Sequence, residues 1–97
     1  MNSYNIILFL GGDLTQVSTI KDLSNSGYKV IVVDQNPEAP GRRYAEYFFN
    51  HSCEDRYQIY QSIIATGMSL RNIFVYPSSE RFLTTAAYLQ ITLKKPK

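Results

Sequence analysis

The chain has 97 residues, 44% hydrophobic and 19% charged, which is enough for one domain with one core and too little for two. That composition excludes a disordered chain and a fibrous repeat. Ten Lys and Arg against eight Asp and Glu leave a net charge of +2, and with Lys94, Lys95 and Lys97 gathered at the end the near-neutral body gives no case for nucleic-acid binding.

The apolar run Ile6 to Leu10 has no basic stretch before it and is too short for a signal segment or a membrane span. The lone Cys53 has no partner for an internal disulfide. Neither it nor the single His51 belongs to a cluster with zinc spacing. The expectation is a cytoplasmic protein in a reducing compartment, with no metal site and no membrane partner.

A first strand is predicted over Tyr4 to Leu10. A helix follows from Asp13, whose carboxylate can accept from the amides of the opening turn, with Gln16 as the partner in a capping box. Leu14, Val17, Ile20 and Leu23 give it an apolar side, and Gly27 offers a left-handed stop. Lys29 to Val33 is the second strand. The connection from Asp34 to Glu46 is the longest; with Asn36-Pro37, Ala39-Pro40-Gly41 and Arg42-Arg43 it is rich in turn residues, which favours a functional loop. A third, short strand spans Tyr47 to Asn50. The second helix starts near Asp55, carries Ile59, Tyr60, Ile63 and Ile64 on one stripe and ends at Gly67. The fourth strand is Asn72 to Tyr76, and the third helix starts at Ser78 or Ser79 and carries Phe82, Leu83, Ala86 and Ala87, with Leu89 or Ile91 extending the apolar surface.

Strands one, two and four lack polar alternation, as strands covered on both faces do. Right-handed crossovers then make this an α/β domain of half-Rossmann-like, three-layer form: a mostly parallel four-stranded sheet of order 3-2-1-4 with helices on both faces. The domain is placed at residues 1–93, and 94–97 read as a basic tail or as the point at which a longer chain is cut.

In such a sheet ligands bind beyond the carboxyl ends of the strands. Strand one delivers Gly11, Gly12, Asp13 and Gln16 there, strand two delivers Asp34, Gln35 and Asn36, and strand four delivers Pro77, Ser78, Ser79 and Glu80. Each has a plainer reading. Gly11-Gly12 lets a backbone approach a ligand, and any tight strand-to-helix turn also needs it. Asp13 and Gln16 either cap a helix or contact a polar substrate, and the two roles are compatible. Glu80 suits a first helical turn through the macrodipole alone. Arg42 and Arg43 either clamp a carboxylate or phosphate, or are solvated loop residues. His51 and Cys53 read as structural. The dinucleotide fingerprint fails because Asp13 and Gln16 fall where its second and third glycines belong, although Asp34 stands where a ribose-binding acid would.

The order Ile6-Ile7-Leu8-Phe9-Leu10-Gly11-Gly12, a helix, Gly27-Tyr28-Lys29-Val30-Ile31-Val32-Val33-Asp34-Gln35-Asn36-Pro37, then Ala39-Pro40-Gly41-Arg42-Arg43-Tyr44-Ala45-Glu46 resembles the N-terminal (pre-ATP-grasp) domain of ATP-grasp carboxylate–amine ligases. These include carbamoyl-phosphate synthase large chains, biotin carboxylases and the purine-pathway carboxylases and formyltransferases. The run from Gly27 to Ala45 is the most specific part; Glu46 stands where such families usually place Asp. The resemblance implies a substrate-side domain that is not catalytic alone. It implies a small carboxylate or amine substrate held by Gly11, Gly12, Asp13, Gln16, Asp34, Ser79 and Glu80. It also implies ATP and magnesium bound by later domains or a second chain, none of them by this one. A different class of function, a stand-alone Rossmann-like module for a nucleotide or metabolite, fits the same elements. The apolar positions of the third helix leave two readings open: a partner surface, through which a lone domain would form a homodimer, or cover for the sheet near strand four.

Overall fold

The computed structural model describes residues 4–95. Four strands, β1 (Ile6–Leu10), β2 (Lys29–Val33), β3 (Tyr47–Phe49) and β4 (Ile73–Pro77), form one sheet in the order β3-β2-β1-β4, every pair parallel. Three helices, α1 (Val17–Asn25), α2 (Arg56–Thr66) and α3 (Leu83–Lys94), pack on it. The chain is an α/β domain of Rossmann-like arrangement. No helix among the described residues is long and apolar enough to cross a membrane.

Side chains alternate across a strand, and here the two sets enter different cores. Ile7, Phe9, Val30 and Val32 point to the face covered by α1, where Ile20 is fully buried. Ile6, Leu8, Leu10, Ile31 and Val33 point to the opposite face, where they meet Ile59 and Ile63 of α2 and Ala86, Leu89 and Leu93 of α3. β1 is therefore apolar at every position and β2 at every position after its exposed first residue, Lys29, because neither face of these strands meets water. Ile64 was expected on the buried stripe of α2 but is exposed. Only residues 59 and 63, one turn apart, look straight at the sheet.

Several helix starts differ in detail from the sequence expectation. Asp13 caps a 3-10 turn over Leu14–Gln16 rather than α1 itself, its Oδ1 accepting from the Thr15 amide at 3.0 Å and the Thr15 hydroxyl at 2.6 Å. The expected capping box does not form, because Gln16 turns its Nε2 to the Thr15 hydroxyl instead. Ser79 likewise caps a 3-10 turn, Glu80–Phe82, ahead of α3. Asp55 accepts from the Gln58 amide and Gly67 ends α2 with φ 73°, both as the sequence reads. At the other end of α3, Lys94 is still helical and its ammonium lies 4.9 Å from the Tyr4 ring centroid, so the helix reaches into the segment read as a tail.

β4 departs from expectation more informatively. Its Ile73 and Val75 are buried, whereas Phe74 and Tyr76 are each 39% exposed, because no helix lies over them. Tyr76 instead tilts onto Phe9 at 4.7 Å between ring centroids, and Tyr4 meets Phe74 edge-on at 5.4 Å. The outer side of α3 adds Leu83, Ala87 and Ile91, exposed and four residues apart.

The free hydrogen-bonding edge of β4 is closed by one side chain. Gln90 of α3 accepts from the Val75 amide at 2.8 Å and donates to the Ile73 carbonyl at 3.0 Å. Those are the two groups that a single residue of a fifth parallel strand would engage. Gln90→Met, similar in shape but without donor or strong acceptor, leaves both unpaired. Urea denaturation should show a loss of about 1–3 kcal/mol, together with faster exchange of the Val75 amide.

Candidate functional site

A cleft of about 410 Å³ opens at the carboxyl ends of β1, β2 and β4. Its position is fixed by topology: the chain leaves β1 toward β2 on one side while β4 flanks the other, and the loops part between them. The loop after β1 contributes Gly11, Asp13, Thr15 and Gln16, and the loop after β2 contributes Asp34, Gln35, Asn36, Ala39 and Pro40. Ser52 and Cys53 follow β3. The fourth side is Ser78, Ser79, Arg81 and Phe82, after β4.

Asp34 holds two of these loops together. Its Oδ2 accepts from the Gly12 amide at 2.9 Å, and its Oδ1 accepts from the Asn36 amide at 2.9 Å. A carboxylate anchored by two backbone amides is a structural tie first, and its unused lone pairs are what it can offer a ligand. Asn50 fastens the same loop from β3, donating to the carbonyls of Asp34 and Gln35 at 3.0 and 3.1 Å.

The two glycine motifs turn out to serve each other. Gly41 donates its amide to the Gly12 carbonyl at 2.7 Å, and a Cβ on Gly41 would lie 2.6 Å from Ile20 Cδ1 and 3.0 Å from that carbonyl. A Cβ on Gly12 would meet Val32 Cγ1 at 2.6 Å. Neither is a cradle for a ligand; they are where two backbones touch. Gly11 does reach the cleft, with φ +100° and its bare α-carbon packed against Ser78 and Phe82.

Of the residues singled out from the sequence, Gly11, Asp13, Gln16, Asp34, Gln35, Asn36, Ser78 and Ser79 line the cleft, and Gly12, Arg42, Arg43, Pro77 and Glu80 do not. Arg42 donates to the Pro37 carbonyl at 2.8 Å and lies 4.6 Å from the Phe48 ring centroid, bracing its own loop. Glu80 is exposed at the start of its turn. His51 pairs with the Ser62 hydroxyl at 2.8 Å, linking the end of β3 to α2. Five lining residues carry no functional reading from the sequence: Thr15, Ser52, Cys53, Arg81 and Phe82. Arg81 bonds to Glu54 at 3.0 Å, 27 residues away, and no local pattern signals that pairing.

Cys53 is 5% exposed and donates its thiol to the Val33 carbonyl at 3.1 Å. Burial pushes that thiol up from 9.0 to about 12, the Asp34 charge adds to the effect, and Arg81 opposes it. A nucleophile needs the thiolate, so this side chain is wall rather than reagent. Among the described residues no group of three or more His, Cys, Asp or Glu could hold a metal ion.

Comparisons with models of known protein families, with curated proteins and with solved structures find no match. The fold and the cleft define a small Rossmann-like α/β domain with a polar crevice at its switch point.

Two measurements check this description. Gly41→Ala should cost about 1–3 kcal/mol in chemical denaturation, the range for overpacking a tight contact, because Gly41 is buried against α1 although it lies in a connection. Cys53 should react with iodoacetamide at pH 8 at least about 100-fold more slowly in the native protein than in urea. Because its folded value lies above the unfolded one, the stability tied to this thiol is complete below about pH 9 and is lost as pH rises toward about 12.

Proposed function

We propose that this chain is a substrate-binding domain that takes a small polar metabolite in the cleft, serving an ATP-dependent carboxylate–amine ligase of the ATP-grasp kind. The observation that carries the reading is the convergence of Asp13, Gln16, Asp34, Asn36, Ser78 and Ser79 from three separate loops on one crevice. Such a crevice, with convergent polar groups, is the default binding site of an open parallel sheet. The ligase context rests on the resemblance of Gly27 to Ala45. The role of that string in the fold is consistent with it: Asp34 and Gly41 tie the loop to the β1 turn and so shape one wall of the cleft.

The same reading assigns magnesium ATP to other parts of the ligase. No lysine is among the residues that line the cleft, and among the described residues no group of three or more His, Cys, Asp or Glu is placed to hold a metal ion. Under this reading ATP and magnesium are bound by further domains or a second chain, and Phe74, Tyr76, Leu83 and Ile91 are the apolar surface available for packing against them or against another copy. One observation favours the alternative of a self-contained nucleotide- or metabolite-binding module. Gln90 already occupies the edge at which the sheet would be extended.

An NMR titration of the 15N-labelled chain with amino acids, hydroxy acids, sugar phosphates, NAD and magnesium ATP tests both. Shifts confined to the loops after β1, β2 and β4 are expected with members of the first three groups, and no phosphate release from magnesium ATP. Micromolar binding of NAD would favour the module reading. A panel that leaves those loops unmoved would overturn binding at the cleft.

A further inference from the structure

The cleft has a single cationic lining residue, Arg81, and its guanidinium is already holding a carboxylate. Glu54, just after the lining residues Ser52 and Cys53, places Oε1 3.0 Å from Arg81 Nη2. This is the only ion pair among the described residues, and it joins the loop after β3 to the loop after β4, elements at opposite ends of the sheet. Both side chains are more than half exposed, at 67% and 54%. A bridge so placed is screened by water and is easily exchanged.

Arginine offers five N–H donors in a planar fork, suited to two oxygens at once. Here one Nη2 contact is used, and the remaining donors meet no acceptor among the described residues. The guanidinium rests 5.3 Å from the Phe82 ring centroid, which limits where its plane can lie. Beside it, the Ser79 oxygen accepts from the Arg81 amide at 3.3 Å, so the Ser79 hydroxyl proton is available to a ligand. Elsewhere in the cleft stand Asp13 and Asp34, carboxylates that suit amine or hydroxyl groups and repel a bare anion.

We infer that Arg81 is the anion-recognition residue of the cleft and that Glu54 is its internal stand-in, displaced when a ligand carboxylate or phosphate takes the fork. The ligand class is a small metabolite with an anionic group at one end and amine or hydroxyl groups at the other. This rests on the cleft being the binding site, and it adds a residue that the resemblance does not point to. Glu54 competes with the ligand for the same donors, so removing its charge strengthens binding and removing Arg81 abolishes it. A merely structural bridge would give neither effect in opposite directions.

The test is titration of the 15N-labelled chain with inorganic phosphate and, separately, with malonate, following the Arg81 Nε–H resonance and the amides of Ser78 and Ser79. Both resonance sets should move, and the tighter of the two probes identifies the anion type. Glu54→Gln should lower the dissociation constant about threefold, the ratio to which an ordinary surface ion pair corresponds. Arg81→Gln should raise it at least about tenfold, and Arg81→Lys should fall between, keeping charge without the fork. Equal dissociation constants in the wild type and all three variants would overturn the inference. So would cleft amides at Asp13 and Asn36 moving while Arg81 stays still, an outcome that leaves the cleft as a binding site intact. Absence of binding by either probe, even in Glu54→Gln, also overturns it, whereas failure of every member of the wider ligand panel is what would remove the cleft itself.

Discussion

The carboxylate of Asp34 is the tie on which the ligand-facing end of the domain depends. β1 and β2 are held side by side along their length by the ladder, but beyond residues 10 and 33 the ladder ends and the loops would be free to part. Asp34 prevents this by accepting from Gly12 on one side and Asn36 on the other. Gly12, so placed, offers its carbonyl to Gly41, which brings the 3-10 turn Pro40–Tyr44 down onto α1. One side chain and two absent side chains thus convert a long connection into a fixed wall. The need for glycine at 12 and 41 follows from that contact, since each hypothetical Cβ lands within 2.6 Å of a neighbouring side chain.

Strand order, helix placement and the location of the crevice were legible in the sequence because each depends on runs of apolar residues and on end signals. Continuous apolar strands demand cover on both sides; Asp55 and Gly67 bracket a helix; a parallel order then determines which loops meet. β4 was misjudged because Phe74 and Tyr76 look like core by hydropathy alone, yet aromatic rings can stack on a neighbour and remain half in water. The same ambiguity covers Leu83 and Ile91, whose side chains face outward on a helix that buries Thr85.

The site was legible by loop and less so by residue. Asp13, Gln16, Asp34, Asn36 and Ser79 could be placed because turn and cap positions are local. Arg42 could not, because what decides its role is the Pro37 carbonyl and the Phe48 ring, brought near only by the folded loop. Arg81 and Glu54 were invisible for the same reason at greater range. The cleft that results is not uniformly charged, with two carboxylates and one guanidinium among hydroxyl and amide groups. It is suited to selecting a ligand by the arrangement of its polar groups rather than by total charge.

The order β3-β2-β1-β4 also governs how the sheet can be assembled in time. β1 is made first and lies in the interior, with β2 on one side and β4 on the other. Its pairing with β2 joins Ile6 to Lys29, while its pairing with β4 joins Ile6 to Ile73, a closure across most of the chain that carries a larger entropic cost and forms more slowly. During synthesis from the N-terminus, one edge of an almost wholly apolar strand therefore stays unpaired until β4 emerges, and Gln90 arrives later still to cover the last edge. A stalled or shortened nascent chain would present Ile6 to Leu10 as a sticky strand. The domain consequently has a period of vulnerability to association that ends only when β4 and α3 have both been made.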